Sequence, residues 1–371
     1  MTIYSKKIGE GKLREKILVI SNTTGGLALF RQELLFTLIK SYEIHVIASN
    51  TGRLHNLMEL GCTVHIIPID RRGMNPIKDS RLISTYFKYI KKLKPKLVIT
   101  YTIKPNIYGG IAARLAKKHY AVNITGLGTA FENAGLIRTV VVNLYKIALK
   151  KAKVVFFENS GDRDELLSFD CCDKEKTVVL NGAGVNTETY AYQPYPNNKA
   201  VKFLFVGRVM KEKGIDELFE AMKRLVSEGG KCFLDVVGPF EEDYKDKLEQ
   251  YEKAGWLKYH GFQENVIPFI SACDCFVLPS YHEGMANTNL ECASSGRPII
   301  TSNIPGCKEA VVDGSGFLCE PKNVKSLYTV MKKMVGVSRE EREKMGLVGR
   351  KHMEKVFDKK KVVAETIKYL F

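Results

Sequence analysis

The chain has 371 residues, 45% hydrophobic and 26% charged, a composition typical of a globular protein large enough for two domains. It contains no run of eighteen apolar residues, which excludes a membrane-spanning helix. Its net charge of +16 is uneven, because residues 1–195 carry 29 basic and 16 acidic side chains whereas residues 196–371 carry 28 and 25. Within 71–118 thirteen basic residues accompany one acid, which predicts an anionic partner: a membrane, a nucleic acid or a phosphorylated substrate.

Short apolar strands alternate with amphipathic helices along the first half. The first predicted strand, 16–20, leads through Gly25 and Gly26 into a helix over 27–40, and these glycines allow a ligand to approach the backbone closely. The segment lacks both the GxGxxG pattern and the acid that binds a dinucleotide ribose, which disfavours a dehydrogenase. The next predicted strands are 44–48, 63–67, 97–101, 121–124, 154–157 and 177–180. This alternation predicts a doubly wound, mostly parallel sheet.

A predicted helix over 80–93 carries apolar residues at helical spacing, with basic residues off that stripe. Its cations Lys88, Lys91 and Lys92, together with Arg71 and Arg72, would form a patch that attracts anionic lipid. The alternative is an ordinary domain helix that buries its stripe and exposes its lysines to water.

A segment rich in proline and asparagine, 190–198, is the best candidate for a linker between domains. The strand pattern then restarts, with predicted strands at 202–206, 233–237, 257–259, 275–278 and 299–301. We therefore expect one domain over 14–192 and a second over 199–354. A segment over 355–371, with its last helix around 359–370, is expected to pack back on the first domain.

Two glutamates bracket the turn that follows the strand 275–278. Glu283 lies in the loop after the strand, Gly284 makes the turn, and Glu291 lies about one turn inside a helix that begins near Asn287. Ligands of open α/β sheets bind at the carboxyl ends of the strands, and a helix start offers free N–H groups to phosphate. A ligand with phosphates for the helix start and hydroxyl groups that donate to the two glutamates is therefore expected, and a nucleotide sugar has both.

A second polar loop follows the strand 202–206. Gly207-Arg208 and Lys213-Gly214 place two cations at a strand end, where an arginine can bind two phosphate oxygens and a lysine adds a point charge. The odd number of scattered cysteines indicates reduced core thiols in a cytosolic protein rather than a disulfide framework or a zinc site.

These motifs together resemble the retaining glycosyltransferases of family 4, which have the GT-B fold. The resemblance is carried by Glu-x7-Glu with its flanking strands, by Gly-Arg…Lys-Gly, by 237–239 and by 260–263, and it covers nearly the whole chain after Arg14. It implies an α/β fold with two Rossmann-like domains facing a cleft, a UDP-sugar as donor substrate, no cofactor and no bound metal.

The resemblance also implies roles for individual residues. Glu283, Arg208 and Lys213 would be catalytic. The donor-binding residues would be Gly25, Gly207, Arg208, Lys213, Gly238, Phe262, Glu283, Gly284, Asn287 and Glu291.

The loops 101–110 and 123–133 resemble those of a subgroup that acts on undecaprenyl-diphosphate-linked sugars. They provide the acceptor-binding candidates Lys104, Asn106, Thr125, Gly126 and Glu132. Many family members have a histidine where this chain has Thr125-Gly126, so a histidine-dependent step is not carried over. Asp162-Arg-Asp164 matches a metal-binding Asp-x-Asp pattern, but it lies at a predicted helix start, where the helix dipole favours acids.

The function expected from these features is retaining, metal-independent transfer of an N-acetylhexosamine from a UDP donor, UDP-N-acetylgalactosamine first among the candidates. The expected acceptor is an undecaprenyl-diphosphate-linked sugar in surface glycan or glycoprotein oligosaccharide assembly. The enzyme is expected to be cytoplasmic and peripheral on the inner face of the cell membrane. A UDP-sugar 2-epimerase and a transferase with a soluble acceptor are the alternatives. No nucleic-acid partner is expected, because the basic charge is the sole indication of one.

Overall fold

The computed structural model describes residues 2–4, 14–70, 75–128, 131 and 135–371. The chain divides into two compact units, one formed by Met1–Ala183 with Val362–Phe371 and the other by Gly184–Lys361. Each unit is a mainly parallel sheet with helices packed against it, which confirms the predicted α/β fold class with two domains. No helix in the described part of the chain is long and apolar enough to span a bilayer.

The first unit contains an eight-stranded sheet. The order is β1-β4-β3-β2-β5-β6-β7-β8, and all neighbours are parallel except β1 and β4. Successive residues of β2 alternate between the two faces of the sheet, as the strand repeat requires. The strands are Thr2–Tyr4 (β1), Lys16–Thr23 (β2), Glu43–Ser49 (β3), Thr63–Ile66 (β4), Leu97–Tyr101 (β5), His119–Ile124 (β6), Val154–Phe157 (β7) and Thr177–Val179 (β8).

The helices of the first unit cover both faces of this sheet. One core contains buried residues of α4, α5, α6 and α7, and the other contains buried residues of α1, α2, α3 and the C-terminal helix α14. The helices are Thr24–Phe30 (α1), Gln32–Ile39 (α2), Leu54–Glu59 (α3), Pro76–Leu93 (α4), Gly110–Leu115 (α5), Leu136–Leu149 (α6), Ser160–Ser168 (α7) and Lys359–Leu370 (α14).

The second unit contains a six-stranded parallel sheet around a single core. Its order is β11-β10-β9-β12-β13-β14, so β9 and β12 are central neighbours. The strands are Val201–Val206 (β9), Cys232–Val237 (β10), Leu257–Tyr259 (β11), Cys275–Leu278 (β12), Ile299–Ser302 (β13) and Gly316–Cys319 (β14). The helices are Ile215–Ser227 (α8), Lys245–Lys253 (α9), Ile267–Ala272 (α10), Asn287–Ser294 (α11), Val324–Gly336 (α12) and Arg339–His352 (α13).

Local signals explain several helix ends. Asn75 accepts hydrogen bonds from the backbone N–H groups of Ile77 and Lys78, and Pro76 occupies the first turn of α4. Ser338 and Glu341 form a reciprocal capping box at the start of α13.

The segment 190–198, predicted to be a linker, packs entirely within the second unit. The buried Arg297 guanidinium donates hydrogen bonds to the carbonyls of Gln193 and Pro194, and the hydroxyl of buried Tyr195 donates to the carbonyl of Asp274. These contacts hold the segment on the second unit, so the units divide earlier, after Ala183.

One detail differs from the expected elements, because the helix predicted over 27–40 is two helices that meet at Arg31. Two further features were not predicted. The helix after β5 begins with a π-helical turn over Pro105–Gly109, and the N-terminal residues Thr2–Tyr4 form an edge strand beside β4.

Candidate functional site

Polar loops of the second unit follow the central strands β9 and β12. Gly207 and Arg208 come directly after β9, and Pro279 comes directly after β12. Because these parallel strands are hydrogen-bonded neighbours, their carboxyl ends meet at one edge of the sheet. The two motifs that the sequence singled out therefore share one edge.

Close backbone packing joins these two loops. Gly214 has a φ of +70°, and a Cβ placed there would lie 2.1 Å from the carbonyl oxygen of Pro279. Any other residue would therefore push the loops apart. The backbone N–H of Tyr281 also donates to the carbonyl of Glu212 at 2.9 Å.

Lys213 and Glu283 are brought into contact by this packing. The Lys213 ammonium pairs with Glu283 Oε1, and Ser280 Oγ donates to the same oxygen at 2.7 Å. The two side chains are 17% and 13% exposed. Two residues separated by 70 positions in the sequence thus form one mostly buried ion pair.

Arg208 lies outside this pair. Its guanidinium is 3.5 Å from the carboxylate of Glu241, and its side chain is 42% exposed. A Cβ on Gly238 would lie 1.8 Å from the carbonyl oxygen of Gly207, so these two glycines allow the loops after β9 and β10 to touch. Phe262 follows β11 and is 68% exposed.

The Glu283 loop also packs against Gly306, which the sequence analysis missed. Gly306 has a φ of +83°, and a Cβ there would lie 2.4 Å from the carbonyl oxygen of Gly284 and 2.6 Å from that of Glu283. The backbone N–H of Ala286 donates to the carbonyl of Gly306 at 2.8 Å. Gly306 therefore fixes the height of the Glu283 loop above the sheet.

Helix α11 begins at Asn287, as predicted, and presents Glu291 one turn later. Glu291 keeps some solvent exposure, but protein atoms crowd its carboxyl group, and this burial raises the pKa of Glu291 to about 7. A hydrogen bond with Tyr190 and the charge of Lys359 oppose the rise in pKa. Neither partner was predicted, since Tyr190 lies 101 positions away in the supposed linker.

Two polar atoms beside Glu283 have no hydrogen-bond partner within the described residues. They are Nε2 of His282 and Oδ1 of Asn287, and both atoms are buried. Buried polar atoms are normally paired, so the missing partners mark these two atoms as candidates for hydrogen bonds to a ligand. Asn287 was predicted to bind the donor, whereas His282 was not.

In the first unit, Lys104 is buried rather than at the surface. Its ammonium lies 3.0 Å from Asp79 Oδ1 and it lines a cavity of about 900 Å³ between the loop after β4 and helix α4. Further charged residues around this cavity are the cations Lys78, Arg81 and Lys88 and the acid Asp70, which lies 3.7 Å from Lys78. Four cations against two acids leave the lining net positive, and its apolar part includes Ile67, Ile69, Leu82 and Tyr89. The cavity has the character of a site for an amphiphile with an anionic head.

Asn106 has a structural role within the fold. Its Oδ1 accepts a hydrogen bond from Thr100 at 2.8 Å, and its Nδ2 donates to the carbonyl of Asn123 at 2.7 Å. The side chain is buried and bridges β5 and β6, so both ends of its amide are engaged. This engagement argues against the predicted acceptor contact.

Gly25, Thr125 and Gly126 lie at the carboxyl edge of the first unit's sheet. Thr125 and Gly126 follow β6 and are partly exposed, whereas Glu132 lies outside the described residues. Gly25 lies in the first turn of α1, and its N–H donates to Thr51 Oγ1 at 3.3 Å. That amide is thus already engaged, which weakens the case for close ligand approach at Gly25.

The predicted membrane residues divide into two groups. Lys88, Lys91 and Lys92 are exposed on α4, while Arg71 and Arg72 lie outside the described residues. The apolar stripe of α4 is largely buried, with Leu82, Tyr86 and Ile90 in the core, as the domain-helix alternative predicts.

Asp162 of the Asp-x-Asp pattern lies in the first turn of α7 and is buried. Its carboxylate accepts a hydrogen bond from Asn159 Nδ2 at 3.2 Å, and burial raises the pKa of Asp162 to about 7. A separate ion pair joins Arg31 to Glu158, the residue directly after β7, and the Arg31 guanidinium lies 5.0 Å from the centre of the Tyr101 ring.

Comparisons with known proteins identify both units. Residues 16–159 match the family described as glycosyl transferase 4-like, and residues 187–352 match glycosyl transferases group 1. The solved structure of HepE from Anabaena, in complex with UDP and glucose, superposes with a TM-score of 0.80 at 17% identity over 96% of this chain and 99% of that chain. This likeness shows the shared GT-B fold.

Three curated relatives are similar over most of their length. An N,N'-diacetylbacillosaminyl-diphospho-undecaprenol alpha-1,3-N-acetylgalactosaminyltransferase from Campylobacter jejuni is 25% identical over 84% of this chain and 87% of the relative. The capsular polysaccharide biosynthesis glycosyltransferase CapM from Staphylococcus aureus is 26% identical over 92% and 93%. A UDP-Gal:alpha-D-GlcNAc-diphosphoundecaprenol alpha-1,3-galactosyltransferase from Escherichia coli is 27% identical over 79% and 80%. The chain therefore belongs to the glycosyltransferases, with a glycosyl transferase 4-like domain in its first unit and a glycosyl transferases group 1 domain in its second.

Proposed function

We propose that this glycosyltransferase transfers an N-acetylhexosamine, with N-acetylgalactosamine as the first candidate, from a UDP donor to a sugar carried on undecaprenyl diphosphate. The observation that carries the proposal is the Lys213–Glu283 pair beside the start of α11, at the carboxyl edge of the second sheet. The names of the C. jejuni and E. coli relatives specify undecaprenol-linked acceptors, and HepE was solved with UDP, which supports the proposal.

The second unit binds the donor in this proposal. Arg208 and Lys213 contact the diphosphate, and N–H groups at the start of α11 add hydrogen-bond donors. Glu291 accepts hydrogen bonds from the ribose hydroxyls, and Glu283 accepts them from the hexose. The unpartnered Asn287 Oδ1 and His282 Nε2 lie beside Glu283 in the sequence and are suited to the remaining sugar groups.

Catalysis rests on stabilisation of the leaving UDP. Breaking the bond to the anomeric carbon builds negative charge on the β-phosphate, and fixed cations stabilise that charge without reorganisation. Loss of one such contact raises a barrier by about 2.7–4 kcal/mol. In metal-dependent transferases a divalent metal stabilises the leaving diphosphate. Here we assign that role to the protein cations and therefore propose metal-independent transfer. The acceptor oxygen bonds to the anomeric carbon on the face from which UDP departs, and its proton passes to the β-phosphate oxygen of the leaving UDP, so the configuration is retained.

The first unit binds the acceptor in this proposal. The 900 Å³ cavity combines an apolar lining with four cations and two acids, Asp70 and Asp79. The net positive charge and the apolar lining suit a diphosphate joined to a hydrocarbon chain. Thr125 and Gly126 lie at the same edge of the sheet and are proposed to contact the acceptor sugar. Such an acceptor places the enzyme at the inner face of the cytoplasmic membrane.

The test is product analysis with purified enzyme. UDP-N-acetylgalactosamine, UDP-N-acetylglucosamine, UDP-galactose and UDP-glucose are each incubated with a short-chain polyprenyl diphosphate sugar, in the presence of EDTA. We expect one added N-acetylhexosamine by mass spectrometry and an α linkage by NMR. Transfer of a hexose alone would refute the donor assignment, and loss of transfer in EDTA would refute metal independence.

Two further reactions test the alternative functions, a UDP-sugar epimerase and a transferase with a soluble acceptor. Incubation with the donor alone separates a transferase from an epimerase, because an epimerase converts the UDP-sugar without an acceptor. Transfer to the same sugar without its lipid diphosphate at an equal rate would show that the acceptor is soluble.

A further inference from the structure

Helix α6 exposes large apolar side chains at its N-terminal end. Leu136, Ile137 and Val140 are 81%, 57% and 39% exposed, and their spacing puts them on one side of the helix. The opposite side of α6 is buried in the core through Val141 and Tyr145. Helix α6 therefore carries a second apolar face, which the fold leaves in contact with water.

These residues lie at the functional edge of the first unit. Because α6 follows the parallel strand β6, its N-terminal end lies at the carboxyl edge of the sheet, together with Thr125 and Gly126. Helix α4 belongs to the same helical layer and begins at the same edge, where Ile77 is 65% exposed. We call Ile77, Leu136, Ile137 and Val140 the apolar edge.

Cations and paired acids lie beside the apolar edge. Lys78 and Arg81 are exposed in the first turns of α4, while the one acid of that helix, Asp79, is buried and paired with Lys104. Lys78 lies 3.7 Å from Asp70, whereas Arg81 has no ion pair within the described residues. An apolar edge next to exposed cations is complementary to a surface that offers both hydrocarbon and negative charge.

We infer that the apolar edge docks on an anionic lipid bilayer, with Leu136, Ile137 and Val140 inserted at the acyl boundary and Lys78 and Arg81 beside lipid phosphates. The inference rests on the proposed function in one respect, because a lipid-anchored acceptor presents its diphosphate at that surface. Docking through this edge brings the loop at Thr125 and Gly126 to the membrane, where the acceptor is held.

A membrane contact through the apolar edge differs from a contact through the lysines at the C-terminal end of α4. Lys88, Lys91 and Lys92 lie twelve or more residues after Pro76, or about 18–24 Å along the helix at 1.5 Å per residue. The Debye length is about 8–10 Å at moderate ionic strength, so a bilayer in contact with the apolar edge acts mainly on Lys78 and Arg81. The distal lysines then contribute to attraction at a distance more than to the docked state.

The experiment is co-sedimentation with vesicles of phosphatidylcholine and phosphatidylglycerol in equal parts, without donor or acceptor. The test variant combines Leu136→Asn, Ile137→Asn and Val140→Asn. The matched control combines Leu29→Asn and Phe36→Asn, which are 44% and 54% exposed on helices of the opposite layer. We expect the test variant to lose at least about tenfold in partition coefficient, from the loss of apolar area inserted into lipid, and the control to partition as wild type does.

Each outcome decides between explanations. Thermal unfolding and UDP binding like those of the wild type show that the test variant is folded. Equal partition of test variant and wild type, or no partition of the wild type, would overturn the docking inference. So would a wild-type dimer that the test variant loses, since the edge would then bind a second copy. Transfer to a short-chain soluble acceptor tests the proposed function separately, because the test variant should retain it.

Discussion

The Lys213 ammonium and the Glu283 carboxylate form a mostly buried ion pair at the carboxyl edge of the second sheet. Lys213→Met or Glu283→Gln alone leaves the partner's charge without its counterion, so each should lower the free energy of unfolding by about 1–3 kcal/mol. The double variant removes both charges and should recover part of that loss. Chemical denaturation of the four proteins measures the coupling.

Activity should not recover with stability. If both groups contact the donor, turnover should fall about 10²–10³-fold in Lys213→Met and stay low in the double variant. Rescue of turnover in the double variant would show that the pair only supports the fold.

Arg208 should behave differently from Lys213, because its side chain is 42% exposed and its contact with Glu241 is 3.5 Å. Arg208→Ala should change the free energy of unfolding by less than about 1 kcal/mol, as for other surface ion pairs. Turnover should still fall about 10²–10³-fold if the guanidinium stabilises the leaving phosphate. Steady-state kinetics of Arg208→Ala measure this loss of turnover. Glu241→Gln is the control, because it removes the ion pair and keeps the arginine. Equal activities of the two variants would show that Arg208 is not catalytic.

Glu291 predicts a pH dependence of donor binding. Burial raises its pKa to about 7, and a carboxylate must lose its proton to accept hydrogen bonds from both ribose hydroxyls. UDP affinity should therefore rise as the pH increases through 7, with proton release that calorimetry in two buffers detects. Glu291→Gln should raise the donor KM and remove this pH dependence. An unchanged pH profile in the variant would contradict ribose contact by Glu291.

The same residue makes a prediction about stability. The pKa of Glu291 is raised above the value of about 4.3 for an exposed glutamate, so the folded state binds the extra proton between about pH 4.3 and 7. The contribution of the protonated Glu291 carboxyl to the free energy of unfolding is complete below that range and declines as the pH rises through it. Glu291→Gln should thus gain stability relative to wild type between pH 5 and pH 8 in thermal unfolding.

Gly306 offers a test of the Glu283 loop with a matched control. Gly306→Ala and Gly314→Ala both place a side chain at positive φ, +83° and +76°. Only at Gly306 would the new Cβ meet backbone, at 2.4 Å from the Gly284 oxygen, whereas nothing lies within 4 Å of the Gly314 position. Both should lose about 1–2 kcal/mol of stability from the positive φ, and Gly306→Ala should lose more because its Cβ meets backbone. Only Gly306→Ala should also lose donor affinity. Equal kinetics of Gly306→Ala and Gly314→Ala would mean that the position of the Glu283 loop does not affect donor binding.

Charge removal tests the basic residues predicted to bind lipid. Replacing Lys88, Lys91, Lys92, Arg71 and Arg72 with Gln should weaken sedimentation with anionic vesicles, while UDP binding survives. Cations close to a charged bilayer contribute about 1 kcal/mol each, but Lys88, Lys91 and Lys92 lie beyond the Debye length from the apolar edge, so each should contribute less, and added salt should reduce the difference from wild type further. Wild-type binding that is equal for neutral and anionic vesicles would contradict an electrostatic role.

Apolar runs bounded by turn residues made most strands predictable. Leu97–Tyr101, Val154–Phe157, Leu257–Tyr259 and Cys275–Leu278 have the predicted limits, because each is fully apolar or nearly so and is followed by a polar or breaking residue. Gly316–Cys319 was missed, since a four-residue edge strand with partly exposed residues has too little pattern to separate it from a loop.

Contacts between distant residues explain what the sequence could not predict. The break between α1 and α2 falls at Arg31, whose side chain pairs with Glu158, 127 positions away. The Lys213–Glu283 pair and the Tyr190–Glu291 contact are equally non-local. Motif spacing indicated which residues share an edge, whereas burial and pairing depend on packing across the whole unit.

Residues 362–371 complete the core of the first unit. Val362 and Leu370 are buried among its strands and helices, Phe371 stacks on Tyr42 at 5.0 Å, and Lys153 donates to the carbonyl of Leu370. During synthesis these residues leave the ribosome only after the entire second unit. The second unit can thus finish folding while part of the first unit's apolar core is still uncovered, and such exposed apolar surface makes a nascent chain prone to aggregation.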